Sequence, residues 1–154
     1  MNVMNVFAAA RAAAREQQDF APLVDLIPYA RFLGVRLLMH ENRPRSLLPY
    51  RPSLIGNSAL PALHGGVTAA FMENAALLHL LLQLDETRIP KTVNFSLDYL
   101  KPGQPEDCHA DCEVSRAGLR VANVLIRCWQ KSPDVPIAIA RGHFLLETPK
   151  NPDG

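Results

Sequence analysis

The sequence predicts an α+β fold in which an antiparallel sheet wraps around one long central helix. Three observations predict it. Residues 65–84 carry apolar side chains round nearly the whole circumference of a helix, from Val67, Ala69, Ala70 and Phe71 to Leu84, and an all-round apolar helix in a globular chain belongs inside. After Arg88 come four strand-like runs, roughly 91–101, 106–116, 119–130 and 136–147, bounded by Pro102-Gly103, Ala117-Gly118 and Pro133, residues that punctuate and turn a chain. Within 106–116, Asp107, His109, Asp111 and Glu113 alternate with Cys108, Ala110, Cys112 and Val114. That is a strand with one wet face and one packed face.

The elements follow in order. Alanine-rich residues 4–18 have high helix propensity, and Pro22 discourages simple continuation; a plain surface helix is expected there. A second helix is expected from Pro22 to about Phe32, closed by Gly34. Residues 35–41 and 46–51 read as two strands separated by the turn-like Glu41-Asn42-Arg43-Pro44. Pro52–Pro61 reads as an irregular loop feeding the long helix at Gly65. The tail Thr148–Gly154 reads as disordered. The whole is one domain, 1–154, with a helical extension over about 1–32.

A chain of 154 residues, 48% hydrophobic and 20% charged, has an ordinary globular composition. Its formal net charge of +1 gives no electrostatic reason to invoke nucleic acid or an anionic membrane. Cys108, Cys112 and Cys128 are an odd set without CxxC spacing, so reduced buried thiols are expected rather than a disulfide framework or a zinc site. No uncharged apolar run reaches the roughly 18 residues of a membrane-spanning helix. The first residues lack the pattern of a secretory signal, and a cytoplasmic location is expected.

One residue breaks the apolar helix. Glu73 is the only carboxylate between Gly65 and Leu84, and an ionised carboxylate taken out of water costs several kcal/mol unless it gains partners. A solvated face or a structural ion pair would also accommodate it. Its isolation beside small Ala69 and Ala70 favours a functional carboxylate in a pocket. His64-Gly65-Gly66 stands at the helix start, nine residues before Glu73 counting from His64. The first turn of a helix has N–H groups without intrahelical partners, and glycines leave them unshielded; such donors can stabilise a developing oxyanion. By itself this triplet is equally a tight loop-to-helix turn.

Asn57, His64-Gly65-Gly66 and Glu73, with the run Thr92-Val93-Asn94-Phe95-Ser96-Leu97-Asp98-Tyr99-Leu100-Lys101-Pro102 and the last strand Ala138–Phe144, resemble the hot-dog-fold acyl-CoA thioesterases of the phenylacetate-pathway type. The resemblance covers roughly residues 28–147. It implies Glu73 as general base or nucleophile and the Gly65 amide as the donor polarising the thioester carbonyl. Asn57 would help place the carbonyl or the water, His64 would shape the loop, and Thr92 would support the carboxylate or water. It implies an acyl-CoA or acyl-carrier substrate, no metal or redox cofactor, and a homodimer or homotetramer in which the glycine turn and the carboxylate of one site come from different subunits. Two positions depart from the family pattern: Leu77 stands one turn after Glu73 where some relatives carry a polar residue, and Pro61 lies in the loop from Asn57 to His64.

Other residues have plainer readings. His79 is read as a satisfied core histidine, His109 as solvated, His143 as outward-facing and Trp129 as a packing residue. Ser53, Ser58, Ser96 and Ser115 lie in no GxSxG context. Lys101, Arg116 and Arg120 flank turns and could meet CoA phosphates, though ordinary surface charge is the better reading of each. The rival readings are a thioester dehydratase or hydratase of the same fold, a non-catalytic acyl-CoA binder, and a structural domain in which Glu73 pairs with Arg127 or Arg141.

Overall fold

The computed structural model describes residues 3–85 and 88–147; the tail Thr148–Gly154 lies outside them. Helix α1 spans Val3–Gln17 and stops where Gln18 turns left-handed, at φ 54. The expected second helix is in fact two, α2 (Ala21–Asp25) and α3 (Pro28–Leu33). Pro28 causes the break. A residue before proline is pushed out of the helical region, and Ile27 is extended at φ −108, ψ 98. Gly34, at φ 78, closes α3 by donating its N–H to the Ala30 and Arg31 carbonyls, a left-handed cap suited to glycine.

Strands β1 (Arg36–His40) and β2 (Arg43–Leu48) form a hairpin. Glu41 and Asn42 make its turn at φ 49 and 61, the paired left-handed conformation that matches the twist of the flanking strands. The second strand therefore begins earlier than the expected residue 46. The expected irregular loop holds a 3₁₀ turn (Pro52–Leu54) and a short strand β3 (Ile55–Asn57), which pairs with β4 (Ala62–Leu63). Helix α4 runs Gly65–Gln83. The four long strands are β5 (Ile89–Tyr99), β6 (Cys108–Ala117), β7 (Val121–Trp129) and β8 (Ala138–Glu147).

Six strands make one sheet in the order β1-β2-β6-β7-β8-β5, every neighbouring pair antiparallel. Alternation sets its faces. Ala122, Val124, Ile126 and Cys128 of β7 and Ala138, Ala140, Phe144 and Leu146 of β8 are buried against α4, which contributes Phe71, Met72, Ala75 and Leu78. Each such large side chain taken from water stabilises the fold by about 1.5–3 kcal/mol. This is the hot-dog arrangement, a sheet curled round a central helix. α4 is long and apolar enough to cross a membrane, yet 56% of that stretch is buried inside the fold. Cys108 and Cys128 are buried and free, and Cys112 is free and partly covered.

The surface role expected for α1 is corrected. Arg11 of α1 is fully buried and donates from Nε to the Leu81 carbonyl at 2.9 Å and from a terminal nitrogen to the Arg88 carbonyl. Arg15 donates to the Leu82 carbonyl at 2.7 Å and the Leu84 carbonyl at 2.8 Å. The last carbonyls of a helix have no intrahelical partners and carry its negative dipole end. Guanidinium donors satisfy both needs, which offsets the cost of burying Arg11.

Candidate active site

The site begins at the join of β4 and α4. His64 is the N-cap of α4, and its Nδ1 accepts the Gly66 N–H at 2.9 Å. That bond requires Nδ1 to be unprotonated. The His64 carbonyl accepts the N–H groups of Val67 and Thr68 at 3.0 and 3.2 Å, and the His64 N–H donates to the Leu54 carbonyl at 2.9 Å. Of the first-turn amides, then, Gly65 alone has no acceptor among the described residues.

Glycine is needed here for close approach. A Cβ on Gly66 would lie 2.9 Å from the His64 ring, and one on Gly56 would lie 2.7 Å from the His64 Cα. Both would push the capping histidine out of place. On the other side, the Tyr99 hydroxyl donates to the Gly65 carbonyl at 2.6 Å, fastening the end of β5 to the start of α4. No sequence pattern singles out Tyr99, because it lies at a strand end and acts on backbone.

Asn57 ends β3 on the strand that carries Gly56. Its Oδ1 accepts the N–H groups of Ala59 at 3.0 Å and Leu60 at 3.3 Å, a local turn that leaves the side-chain NH₂ as a donor. Asn57, His64 and Gly65 are thus brought together by the β3–β4 ribbon. Thr92 lies on the side of β5 that faces α4, half-buried, without a hydrogen bond to Glu73.

Glu73 is half-buried and makes no hydrogen bond or ion pair among the described residues. It belongs to a stripe, Gly66, Ala69, Ala70, Glu73 and Leu77, that the chain leaves partly uncovered. The all-round burial expected of α4 is therefore corrected: this one face lacks a cover from its own chain, while Leu80 is buried. Gly65 and Glu73 are eight residues apart on one helix, about 12 Å along its axis at 1.5 Å per residue. One carbonyl group cannot touch both within a single chain.

The arginine-pairing reading of Glu73 finds no support inside the chain, because Arg127 and Arg141 alternate with buried residues and project from the sheet face opposite α4. His79 is buried, as expected of a core histidine, but it is not satisfied. It makes no hydrogen bond among the described residues, its Nδ1 is shut away without a partner there, and burial pushes its imidazole below the ordinary range, with Asp111 opposing. His109 is half-buried and stacks on Trp129, with ring centroids 5.8 Å apart, so the solvated reading is corrected too. Trp129 packs as expected, with Arg45 lying 4.9 Å over its ring. His143 faces outward.

The family model of the thioesterase superfamily matches residues 60–137, which includes the capped turn and Glu73. The chain is 34% identical over 110 residues to the medium/long-chain acyl-CoA thioesterase YigI of Escherichia coli, covering 62% of this chain and 71% of that protein. Among solved structures, a Chromobacterium violaceum protein is similar at 40% identity and TM-score 0.74, covering 92% of this chain and 99% of that one. A phenylacetic acid degradation-related protein of Ralstonia eutropha shares the fold at 18% identity and TM-score 0.73, covering 92% of this chain and 99% of that one.

Proposed function

The chain belongs to the thioesterase superfamily, a hydrolase with the hot-dog fold, and from that premise we propose that it hydrolyses acyl-CoA at a site built from Gly65 of one subunit and Glu73 of another. One observation carries the reading. The Gly65 amide is the unengaged donor of the first turn, at the positive end of a long helix, and the unpaired Glu73 carboxylate stands about 12 Å further along the same rod. Two copies packed with their uncovered α4 stripes together bring one subunit's donor to the other's carboxylate. The free outer edge of β5, with Val93 65% exposed, supports pairing of two sheets side by side into a homodimer.

In that site the thioester carbonyl oxygen accepts the Gly65 N–H, with Asn57 donating from its free amide. Glu73 takes a proton from a water that attacks the carbonyl carbon, or attacks that carbon itself to form an anhydride that water then opens. Negative charge gathers on the oxygen facing the helix N-terminus, where preorganised donors act most strongly. The C–S bond breaks and the thiolate leaves with a proton. Thr92 lies on the α4 side of β5, where its hydroxyl supports the carboxylate or the water. The E. coli relative's name supports a medium- to long-chain acyl group, for which the small side chains of Ala69 and Ala70 leave room.

The test is thiol release from aryl-, short-, medium- and long-chain acyl-CoAs by wild type and Glu73→Gln. Turnover of medium and long chains is expected, with kcat lowered about 10²–10⁴-fold in the variant. A wild type inert towards every substrate overturns the reaction. Full activity in Glu73→Gln overturns the site and leaves the reaction standing.

A further inference from the structure

The turn that carries the free Gly65 amide hangs on the end of β5. Tyr99 is the last residue of that strand, and its hydroxyl donates to the Gly65 carbonyl at 2.6 Å. A few residues on, the Gly103 carbonyl accepts the Leu63 N–H at 2.9 Å. The segment 99–103 therefore holds the chain on both sides of His64. It is itself anchored, because the Leu100 and Lys101 N–H groups both donate to the Ile137 carbonyl, at 2.9 and 3.2 Å.

Closing the helix does not call for the Tyr99 bond. The carbonyls that lack intrahelical partners lie at the far end of a helix, and Gly65 is at the start of α4. The bond acts on direction instead. Gly65 has no side chain to restrict its two backbone dihedrals, so the aim of its N–H depends on what fixes the peptide planes on either side. The plane between His64 and Gly65 is held at its oxygen, which accepts the Val67 and Thr68 N–H groups. The plane between Gly65 and Gly66 is held at both ends. Its oxygen takes the Tyr99 hydroxyl, and its N–H donates to His64 Nδ1 at 2.9 Å. Hydrogen bonds in series polarise one another, so the hydroxyl on the oxygen strengthens the N–H bond to the ring. That bond keeps Nδ1 an acceptor and leaves the proton of the neutral ring on Nε2.

We infer that Tyr99 is a positioning residue for the hydrolysis proposed above, and this rests on the role given there to the Gly65 amide. Tyr99 touches no reacting atom. It acts through the Gly65–Gly66 peptide, aiming the Gly65 N–H at the thioester carbonyl and holding His64 in one tautomer. Donors that are in place before charge develops cost no reorganisation when it does. β5 is also the outermost strand of the sheet, the edge proposed to pair with a second copy. One strand thus sets the donor turn and faces the subunit that supplies Glu73.

Tyr99→Phe tests this, since it removes one oxygen from a side chain that is 56% exposed and so leaves the fold intact. The kcat for thiol release from a medium-chain acyl-CoA should fall about tenfold, with KM and the urea midpoint unchanged. Nitrogen-15 NMR of the protein above neutral pH gives the second readout. Wild type should show His64 as a single tautomer protonated at Nε2 and a downfield Gly66 amide proton. In Tyr99→Phe that proton should move upfield and the second tautomer should appear, which a clasp that only adds stability would not produce. Wild-type kcat in Tyr99→Phe overturns the role of Tyr99 and leaves that of Gly65 standing. So does a loss confined to KM, a loss matched by a fallen urea midpoint, or an unmoved Gly66 proton and tautomer. A wild type that releases no thiol from any acyl-CoA, or Gly65→Pro with full activity, overturns both roles.

Discussion

The two ends of α4 are finished in opposite ways. At the C-terminal end two arginines of α1 reach the carbonyls of Leu81, Leu82 and Leu84, one of them from complete burial. At the N-terminal end His64 takes the Gly66 amide on its ring and two further amides on its carbonyl, and the Gly65 amide is left over. A helix end that only has to be stable is closed. The end proposed to meet the substrate keeps one donor open, in a turn whose glycines let it be approached.

Breaking the open end should have the larger effect. Gly65→Pro removes that single N–H at the first helical position, where proline is well tolerated, and His64 already has the extended backbone, φ −65 and ψ 127, that a following proline requires. Thiol release should fall about 10²–10³-fold with the melting temperature little changed. Gly65→Ala, which keeps the N–H but sets a Cβ 3.0 Å from the Tyr99 hydroxyl, should lose far less. Equal losses in the two variants would show that space at Gly65 matters and its amide does not.

Breaking the closed end should cost stability and spare chemistry. Arg11→Met leaves the Leu81 carbonyl without its partner and should lower unfolding stability by about 2–4 kcal/mol in denaturant titration, with unchanged activity per folded molecule. A matching drop in kcat would mean that the two ends are coupled through the helix. The smallest effect is that of pH. Burial lowers the folded-state affinity of His79 for a proton below its ordinary value of 6.5, so the unfolded chain binds more protons there. Stability should therefore decline as pH falls below about 6.5 and level off once the folded value is passed. His109 is shifted in the same direction by burial and Arg45. A His79→Phe variant should show a shallower decline; an identical slope would remove His79 as its source.

Much of this contrast was legible in the chain. The all-round apolar run of 65–84 located α4, the glycine pair marked its N-terminal end, and the alternation in 106–116 assigned the faces of β6 correctly. The break at Ile27–Pro28 also follows from local sterics, although the longer helical pattern hides it. Arg11 and Arg15 were not legible, because their partners are main-chain carbonyls some 70 residues away and a carbonyl leaves no mark on a sequence. The Tyr99 clasp on the Gly65 carbonyl escapes for the same reason. The uncovered stripe on α4 could not be read either, since apolar side chains look alike whether their own chain or another one covers them.

The eight-residue spacing from Gly65 to Glu73 acts, in the proposed dimer, as a ruler that makes catalysis a shared property. In the proposed dimer a chain lacking the donor and a chain lacking the carboxylate are each inert alone, yet each holds the half the other lost. Mixed and allowed to exchange, Gly65→Pro and Glu73→Gln chains would form heterodimers with one fully broken site and one fully intact site. Since half the dimers are then mixed, about a quarter of the wild-type activity should return from two dead proteins. Dilution below the dimer's dissociation constant should take it away again.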